Sequence, residues 1–316
     1  MKAAVVTEPG RAPVYADFQT PQPQQGSLLI RVTAAAITQL AKLRADGKHY
    51  SDRPTYPFIA GVDGTGITED GRRVYFMLPD PPFGSMAECC VISEKKCIPL
   101  PDGLSDVKAA AMANPGMSSW PSLIARAHLR KGETVLVNGA SGTSGRLAIV
   151  IAKHLGAQRV IATARRTNVF DELKRLGADE TVALTSDTAA LKEAFEAVMQ
   201  RGVDVVLDYL WGPSAEAIIA AAHRGPQGVP IRFVQVGSMS GESIELPAAA
   251  LRSSSLQLIG SGIGSLSFAD VGGAISDLFK ATCSAEFPIS IASIPLSDVT
   301  KAWSMTETDA RIVLIP

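Results

Sequence analysis

The stretch Thr134-Val-Leu-Val-Asn-Gly-Ala-Ser-Gly-Thr-Ser-Gly145 decides the fold, because in it an apolar run ends in a glycine-rich turn. The run that follows, residues 146–155, is apolar almost all round, which is typical of a helix buried against a parallel sheet. In the G-x-G-x-x-G pattern of dinucleotide-binding turns, the glycine positions are taken by Ala140, Gly142 and Gly145. The stretch therefore predicts a strand, a turn and a helix that bind a dinucleotide.

The turn residues have separate predicted roles. Gly142 lets the backbone approach a pyrophosphate, and Gly145 lets the helix lie close to the strand. The backbone N–H groups of residues 141–144 face the anion at the positive end of the helix. A turn that binds no nucleotide remains the alternative, because the glycine pattern by itself is a weak signal. The predicted cofactor contacts of the turn are Ala140, Ser141, Gly142, Thr143, Ser144 and Gly145.

Two arginines, Arg165 and Arg166, follow the second predicted strand, residues 159–164. At this position a carboxylate holds the ribose 2′-hydroxyl of NAD, whereas arginine accommodates the 2′-phosphate of NADP. The sequence therefore predicts NADPH as the cofactor. The alternative is a pair of solvated arginines at the end of a strand.

Composition limits the class of protein. The chain has 316 residues, of which 46% are apolar and 19% charged, with a net charge of −1, so two ordinary globular domains are expected. Charges of both signs are scattered, which argues against a nucleic-acid partner. No apolar run approaches the roughly 20 residues of a membrane span, and we expect a cytoplasmic protein with no membrane partner. Four cysteines without C-x-x-C spacing predict no disulfide.

The order of predicted elements changes along the chain. Residues 1–113 contain short runs broken by Pro and Gly, which predicts an all-β unit with strands at 2–7, 27–34, 61–68, 73–77, 86–92 and 97–99. Strict alternation follows, which predicts a doubly wound parallel sheet. Its strands are predicted at 134–138, 159–163, 181–184, 203–207, 231–236 and 255–260, and its helices at 144–155, 168–176, 188–200, 213–222 and 247–252.

The last segment, residues 263–316, is too short to fold alone. It contains a predicted helix near 268–280 and strand-like runs at 289–294 and 310–315, and we expect it to pack onto the N-terminal β unit. The glycine-rich run 258–264 ends the parallel sheet. Such an exposed edge strand is a natural place for pairing in a homodimer.

The chain resembles the medium-chain dehydrogenase/reductase superfamily, and within it the zinc-independent quinone oxidoreductases of the zeta-crystallin type. The resemblance covers essentially the whole chain and rests on several ordered stretches, namely Tyr56-Pro-Phe-Ile-Ala-Gly-Val-Asp-Gly-Thr-Gly66, Phe83-Gly-Ser-Met-Ala-Glu88, Val135 to Gly142, Leu176-Gly-Ala-Asp179, Gly202-Val-Asp-Val-Val-Leu-Asp208 and Val236-Gly-Ser-Met-Ser-Gly241.

This resemblance implies an α/β chain with a Rossmann domain at residues 114–262. It implies a GroES-like β-barrel domain formed by both ends of the chain, residues 1–113 and 263–316, with the active site between the domains. The implied activity is NADPH-dependent reduction of a quinone or an α,β-unsaturated carbonyl. Because Rossmann ligands lie at the carboxyl ends of the strands, residues 208–210 and Gly237, Ser238 and Ser261 are expected beside the cofactor.

Several positions depart from the family pattern. The zinc-dependent branch has a G-H-E motif where this chain has Gly61-Val62-Asp63, so no metal is expected and Asp63 is interpreted as a structural carboxylate. An Asn and an Asp that are common in quinone oxidoreductases are replaced by Thr38 and Ala41. A Lys and a Tyr that often contact NADPH are replaced by Val169 and Leu184, and Arg165 and Arg166 are candidates to take over the phosphate.

The resemblance also directs attention to possible catalytic groups. Tyr50 is the first candidate for a hydrogen-bond or proton donor to the acceptor, and His49 is the second. For each, the alternative is a loop residue without a catalytic part. Ser119, with Ser118 and Trp120, is expected at the nicotinamide, although Trp120 is equally compatible with the core. The acceptor pocket is expected between the loops 39–58 and 77–86.

Two other functions remain open. The run Asn114-Pro115 resembles mitochondrial enoyl thioester reductases of the same superfamily, which makes an enoyl thioester reductase the first alternative. The missing Asn, Asp and Lys leave open a cofactor-binding protein with little turnover, serving as a structural or RNA-binding module. The absence of a basic stripe argues against the RNA-binding form.

Overall fold

The computed structural model describes residues 1–51, 54–305 and 310–316. The described residues form two compact units. One, the β unit, consists of residues 1–114 and 271–316, and the other, the parallel unit, consists of residues 115–270. Both ends of the chain therefore build one unit, and the middle of the chain builds the other.

The first segment supplies most strands of the β unit. Its strands are β1 (Lys2–Val6), β2 (Val14–Asp17), β3 (Ser27–Ala36), β4 (Phe58–Ile59), β5 (Asp63–Thr68), β6 (Arg73–Met77), β7 (Cys89–Ser93) and β8 (Cys97–Pro99), and its helices are α1 (Gln39–Ala45) and α2 (Asp106–Pro121). The strands β2 and β4 were not predicted. β2 is exposed along most of its length and β4 has two residues, so neither has the alternation of a half-buried strand.

The middle of the chain alternates between strands and helices, as its sequence predicts. The elements are β9 (Thr134–Asn138), α3 (Thr143–His154), β10 (Arg159–Ala164), α4 (Phe170–Arg175), β11 (Glu180–Ala183), α5 (Thr188–Gln200), β12 (Val205–Asp208), α6 (Gly212–Ala221), β13 (Ile231–Gln235), α7 (Ala248–Arg252) and β14 (Leu256–Gly260). The predicted and observed ends of these strands differ by at most two residues, and β9 is observed where it was predicted.

The described part of the parallel unit has one sheet, with the strand order β11-β10-β9-β12-β13-β14. All neighbouring strands are parallel, and the order reverses direction between β9 and β12. The core on one face includes Leu136, Phe195, Ile218 and Phe233 from β9, α5, α6 and β13. This is the predicted doubly wound sheet, in which ligands bind where the strand order reverses.

The last segment returns to the β unit. It contains α8 (Phe268–Ser284), β15 (Ile291–Pro295), α9 (Val299–Ser304) and β16 (Arg311–Ile315). β16 pairs with β3 in antiparallel register, with Val313 opposite Ala36, and β15 is parallel to β16. The prediction that this segment packs onto the N-terminal β unit is therefore confirmed.

None of the helices within the described ranges is long and apolar enough to cross a bilayer.

Candidate functional site

The glycine-rich turn between β9 and α3 is fixed to the end of β10. Gly139 has a φ of +91°, a conformation that favours glycine. Its N–H donates to Thr163 Oγ1 at 3.0 Å, and the N–H of Ala140 donates to the Thr163 carbonyl at 2.8 Å. Thr163 of β10 therefore fixes the backbone at the start of the turn.

The next two glycines of the turn have different surroundings. A Cβ atom on Gly145 would lie 2.6 Å from Ala140 Cα, so α3 contacts the turn more closely than any side chain would permit. A Cβ atom on Gly142 would meet no described atom within 4 Å, and Gly142 is exposed. No side chain caps α3 at Gly142, which leaves the positive end of the helix open on this side.

A network of buried polar side chains lies under the turn. Asn138 Nδ2 donates to Asp208 Oδ1 at 2.8 Å and to Ser214 Oγ at 2.9 Å, while Asn138 Oδ1 accepts from Thr163 Oγ1 at 2.8 Å. Asp208 Oδ1 also accepts from the Leu210 N–H at 3.0 Å. Burial raises the pKa of Asp208, and these donors act against that rise. The network joins the carboxyl ends of β9, β10 and β12.

Ser119 lies in a second group of hydroxyls in the parallel unit. Its Oγ lies 2.8 Å from Tyr209 Oη and donates to the Pro115 carbonyl at 3.0 Å. Ser118 Oγ donates to the same carbonyl at 2.7 Å. Tyr209 is buried, which raises the pKa of its phenol to about 12 and keeps it protonated at neutral pH. Ser119 therefore positions a tyrosine at the end of β12.

The other residues expected at the strand ends lie at the same edge of the sheet. Ser261 follows β14, and its Oγ accepts from Ser122 Oγ at 2.8 Å. Gly237 and Ser238 follow β13, and a Cβ atom on Gly237 would lie 2.8 Å from the Tyr209 carbonyl oxygen. Trp120 is buried, with its ring centroid 5.6 Å from that of His154 on α3. Of the two interpretations of Trp120, the structure supports the core.

The two arginines after β10 are exposed, and the apolar replacements nearby are not. Arg165 and Arg166 follow Ala164, which pairs with Ala183 in β11. Val169 is buried, and Leu184 packs against the core of the parallel unit. The positions of Val169 and Leu184 are therefore structural in this chain, and the positive charge beside the sheet edge comes from the arginine pair.

The catalytic candidates lie in the β unit, after α1. Tyr50 is 73% exposed, and its ring centroid lies 4.3 Å from that of His49. His49 Nδ1 lies 2.7 Å from Ser51 Oγ. The pair is thus a stacked, solvent-facing donor group in a loop.

A small pocket of about 40 Å³ lies within the β unit. Its lining comes from both loops that were expected to form the acceptor pocket, and it includes Ala41, Arg44, Phe58, Pro81 and Phe83. Residues 52–53 of the first loop lie outside the described residues. Among the described residues that line it, neither His49 nor Tyr50 occurs, so the structure does not bring these two side chains to this pocket.

Asp63 is buried in the β unit, at the start of β5. Tyr75 Oη donates to Asp63 Oδ2 at 2.9 Å. Burial raises the pKa of Asp63 to about 6, and the charge of Arg311 acts against that rise. Within the described ranges, Asp63 Oδ1 and Arg311 Nε have no hydrogen-bond partner. No group of three or more His, Cys, Asp or Glu residues suited to a metal ion occurs in the described part of the chain.

Comparisons with known proteins agree with this architecture. Residues 145–280 match the family model described as zinc-binding dehydrogenase. A probable NADPH-dependent quinone reductase of Emericella nidulans is 28% identical, with all of both chains aligned. The solved quinone oxidoreductase of Thermus thermophilus superposes with a TM-score of 0.84 at 27% identity, again over both whole chains. Over its whole length this chain is therefore similar to quinone oxidoreductases, as the resemblance to the medium-chain dehydrogenase/reductase superfamily predicts.

The superposition on solved quinone oxidoreductases and the sheet topology confirm the predicted fold class, a Rossmann sheet together with a GroES-like domain formed by both ends of the chain. A further similarity is to a spectinabilin polyketide synthase system protein of Streptomyces orinoci, which is 33% identical over 67% of this chain. The chain spans only 9% of that protein's length.

The sequence alone did not point to Asn138 and Thr163, which fix the glycine turn. A signal for Asn138 was present, since a polar residue ends an otherwise apolar buried strand directly before the turn. Thr163 gave none, because threonine is common in strands. The reasoning placed Tyr209 beside the cofactor but did not predict its bond to Ser119.

Proposed function

We propose that this chain is an NADPH-dependent oxidoreductase that reduces a quinone or an α,β-unsaturated carbonyl without zinc. The observation that carries the proposal is the open glycine turn. Gly142 is exposed where a Cβ atom would meet nothing, at the uncapped positive end of α3. The named similarities to an NADPH-dependent quinone reductase and to a quinone oxidoreductase solved with NADPH support the same activity.

The residues present fit a dinucleotide phosphate. The residues from Ala140 to Gly145 would hold the pyrophosphate through backbone N–H groups and the start of α3. Arg165 and Arg166 would hold the 2′-phosphate by charge-assisted hydrogen bonds. Ser119, Gly237, Ser238 and Ser261 are the remaining proposed cofactor contacts. When bound, NADPH supplies the hydride.

The protein's own part in the reaction is to stabilise negative charge on the acceptor. When a hydride adds to a carbon of a quinone or an enone, the electrons of the double bond shift and negative charge develops on the conjugated carbonyl oxygen, where one hydrogen-bond donor can stabilise it. We propose Tyr50 Oη as that donor, with His49 as the alternative. Reduction without zinc is part of the proposal because Gly61-Val62-Asp63 replaces the G-H-E motif of the zinc-dependent branch.

The remaining parts of the proposal concern the state of the protein in the cell. We propose a homodimer that pairs through β14, which bonds only to β13 among the described strands and exposes 40% of Leu258. We also propose a cytoplasmic location and a small-molecule substrate, with no nucleic-acid or membrane partner. Sedimentation of the native chain beside a Leu258→Lys variant tests the dimer, which the lysine should dissociate.

The test of the activity is NADPH oxidation measured against a panel of quinones, enones and enoyl thioesters. We expect turnover with quinones or enones, and no oxidation of ethanol or benzyl alcohol with NADP⁺. Turnover confined to enoyl thioesters would favour the enoyl thioester reductase, for which the similarity to a polyketide synthase protein is the motivating observation. NADPH binding without turnover on any acceptor would favour the cofactor-binding protein. Chelator-sensitive alcohol oxidation would overturn the zinc-free proposal.

A further inference from the structure

Asp208 is a fully buried carboxylate at the carboxyl end of β12, opposite Asn138 in the neighbouring strand β9. A buried carboxylate is costly unless several donors surround it. Its Oδ1 accepts from Asn138 Nδ2 at 2.8 Å and from the Leu210 N–H at 3.0 Å, and the Trp211 N–H lies 3.1 Å from Oδ2. Asp208 thus holds one side chain and one backbone turn together.

A first connection between Asp208 and the glycine turn runs through the side chains of Asn138 and Thr163. Asn138 uses its amide nitrogen toward Asp208, so its oxygen is the acceptor for Thr163 Oγ1 at 2.8 Å. Since the Thr163 hydroxyl donates its proton to Asn138, its lone pairs accept the Gly139 N–H at 3.0 Å. An ionised carboxylate can only accept, so Asp208 determines which group donates and which accepts in each hydrogen bond of this series.

A second connection between Asp208 and Gly139 runs through the backbone of residues 210 and 211. Asp208 accepts from residues 210 and 211, and Trp211 has a φ of +57°, which few non-glycine residues adopt. This turn presses the Leu210 side chain against the glycine turn, because a Cβ atom on Gly139 would lie 2.8 Å from Leu210 Cγ. One carboxylate therefore fixes both the N–H of Gly139 and the side chain packed against it.

We propose that Asp208 is a positioning residue for the dinucleotide: through Asn138 and Leu210 it sets the geometry of the turn from Gly139 to Gly142, and thereby the affinity for NADPH. The inference rests on the proposed function, because it assumes that a dinucleotide binds at this turn. Displacement of a binding backbone by about 1 Å is enough to weaken a ligand strongly.

The opposite end of the same strand pair offers a matched control. Asp204 directly precedes β12, and its Oδ2 accepts from the Thr134 N–H at the start of β9 at 2.8 Å. Asp204→Asn therefore weakens a carboxylate bond between the same two segments, far along the strands from the glycine turn. A residue that only holds the sheet together should behave like Asp204.

The main experiment compares Asp208→Asn with Asp204→Asn. In Asp208→Asn, an NH2 group in the place of Oδ1 loses the bonds from Asn138 and from the Leu210 N–H, and one in the place of Oδ2 loses the bond from the Trp211 N–H, so at least one bond is lost in each orientation. We expect the Kd for NADPH, measured by fluorescence titration, to rise about tenfold or more in Asp208→Asn. Asp204→Asn should lower the Tm and leave the Kd within about twofold of the native value.

Two further variants keep the inference testable if Asp208→Asn fails to fold. Thr163→Val keeps the shape of the side chain and removes the acceptor of the Gly139 N–H, so the Kd should rise several-fold. The exchange Asn138→Asp with Asp208→Asn restores one amide and one carboxylate across the strand pair. It should recover the NADPH affinity that Asn138→Asp alone loses.

The outcomes separate this inference from the proposed function. Native protein that does not bind NADPH would overturn both. Native protein that binds NADPH, with an unchanged Kd in Asp208→Asn and Thr163→Val, would overturn the positioning role alone. Equal rises in Kd for Asp204→Asn and Asp208→Asn would also overturn it, because the effect would then follow stability. Recovery of Kd in the exchanged pair supports the inference.

Discussion

The two units each bury an aspartate, and they hold it in different ways. Asp208 in the parallel unit accepts hydrogen bonds from a side-chain amide and from the backbone N–H groups of residues 210 and 211. Asp63 in the β unit accepts from Tyr75 through Oδ2, while its Oδ1 has no partner among the described residues. Burial raises the pKa of both carboxyls, that of Asp63 to about 6.

Because their surroundings differ, the two buried carboxylates are expected to have different effects, one on cofactor binding and the other on stability. In the parallel unit the donors around the carboxylate belong to the segments that build the glycine turn, so the charge fixes a binding geometry. In the β unit the carboxylate lies among strand residues and near a buried arginine, so its protonation changes the stability of the core. Asp208 substitutions should therefore alter cofactor affinity, and Asp63 substitutions should alter the pH dependence of unfolding.

The largest effect is expected at the glycine turn. Gly142→Val should abolish NADPH binding and leave the Tm nearly unchanged, because the new side chain would enter space that no described atom occupies and that we assign to the pyrophosphate. Gly145→Val is the control, since its Cβ would lie 2.6 Å from Ala140 Cα and should destabilise the fold itself. Retained affinity in a folded Gly142→Val protein would contradict the assigned turn.

Tyr50→Phe tests whether the β unit supplies chemistry as well as structure. We expect kcat to fall by about 10²–10³, the usual effect of losing one donor to a developing oxyanion, while the Kd for NADPH stays the same. His49→Asn is the companion variant. If turnover is unchanged in Tyr50→Phe and falls in His49→Asn, the donor is His49 and the assignment of Tyr50 is wrong.

Arg165→Ala tests the cofactor preference of the parallel unit. We expect the Kd for NADPH to rise about 10- to 100-fold and that for NADH to stay nearly unchanged, since each charge-assisted phosphate contact contributes about 1.5–3 kcal/mol. Titration of both cofactors by fluorescence measures this. Equal dissociation constants of the native protein for NADPH and NADH would remove the proposed role of the arginine pair.

The last expected effect is on stability rather than on binding or turnover, and it concerns the dependence of Asp63 protonation on pH. Its pKa is raised from an ordinary value of 3.8 to about 6, so between these values the folded state holds a proton that the unfolded chain has lost. The stabilisation from this proton is complete below about pH 4 and is lost as pH rises through about 6, a change on the order of 3 kcal/mol.

Asp63→Asn cannot lose that proton and still accepts from Tyr75. Its free energy of unfolding relative to the native protein should therefore increase between about pH 4 and pH 7, as measured by urea denaturation at a series of pH values. The exposed Glu242→Gln variant is the control. A constant difference between Asp63→Asn and the native protein across this range would show that Asp63 titrates with its ordinary pKa.

The parallel unit could be predicted more fully than the β unit for a physical reason. Its central strands β9, β10, β12 and β13 are largely buried and its helices have apolar faces, so most elements can be recognised in a short window of sequence, as at residues 134–138. β2 and β4 depend on pairing with β1, a contact that local patterns do not contain.

The residues of the candidate site also differ in how far their positions could be predicted from local sequence. Gly145 and the arginine pair were visible because a turn glycine and a strand-end charge have local signatures. Thr163 matters because its hydroxyl accepts the N–H of Gly139. Tyr209 matters because its hydroxyl is hydrogen-bonded to Ser119 on α2. Such bonds join residues distant in sequence, so only the folded chain reveals them.

The interrupted β unit also sets an order of events during synthesis. β3 acquires its neighbour β16 through the pairing of Ala36 with Val313, and all of the parallel unit is made between these two strands. At about 5–20 residues per second, the end of β3 at residues 35–36 lacks its partner while residues 115–270 emerge, although β7 can already pair with residues 27–31 and residues 115–270 can fold with one another. An unpaired edge is a template for wrong pairing, so the nascent chain is most vulnerable to aggregation before β16 leaves the ribosome.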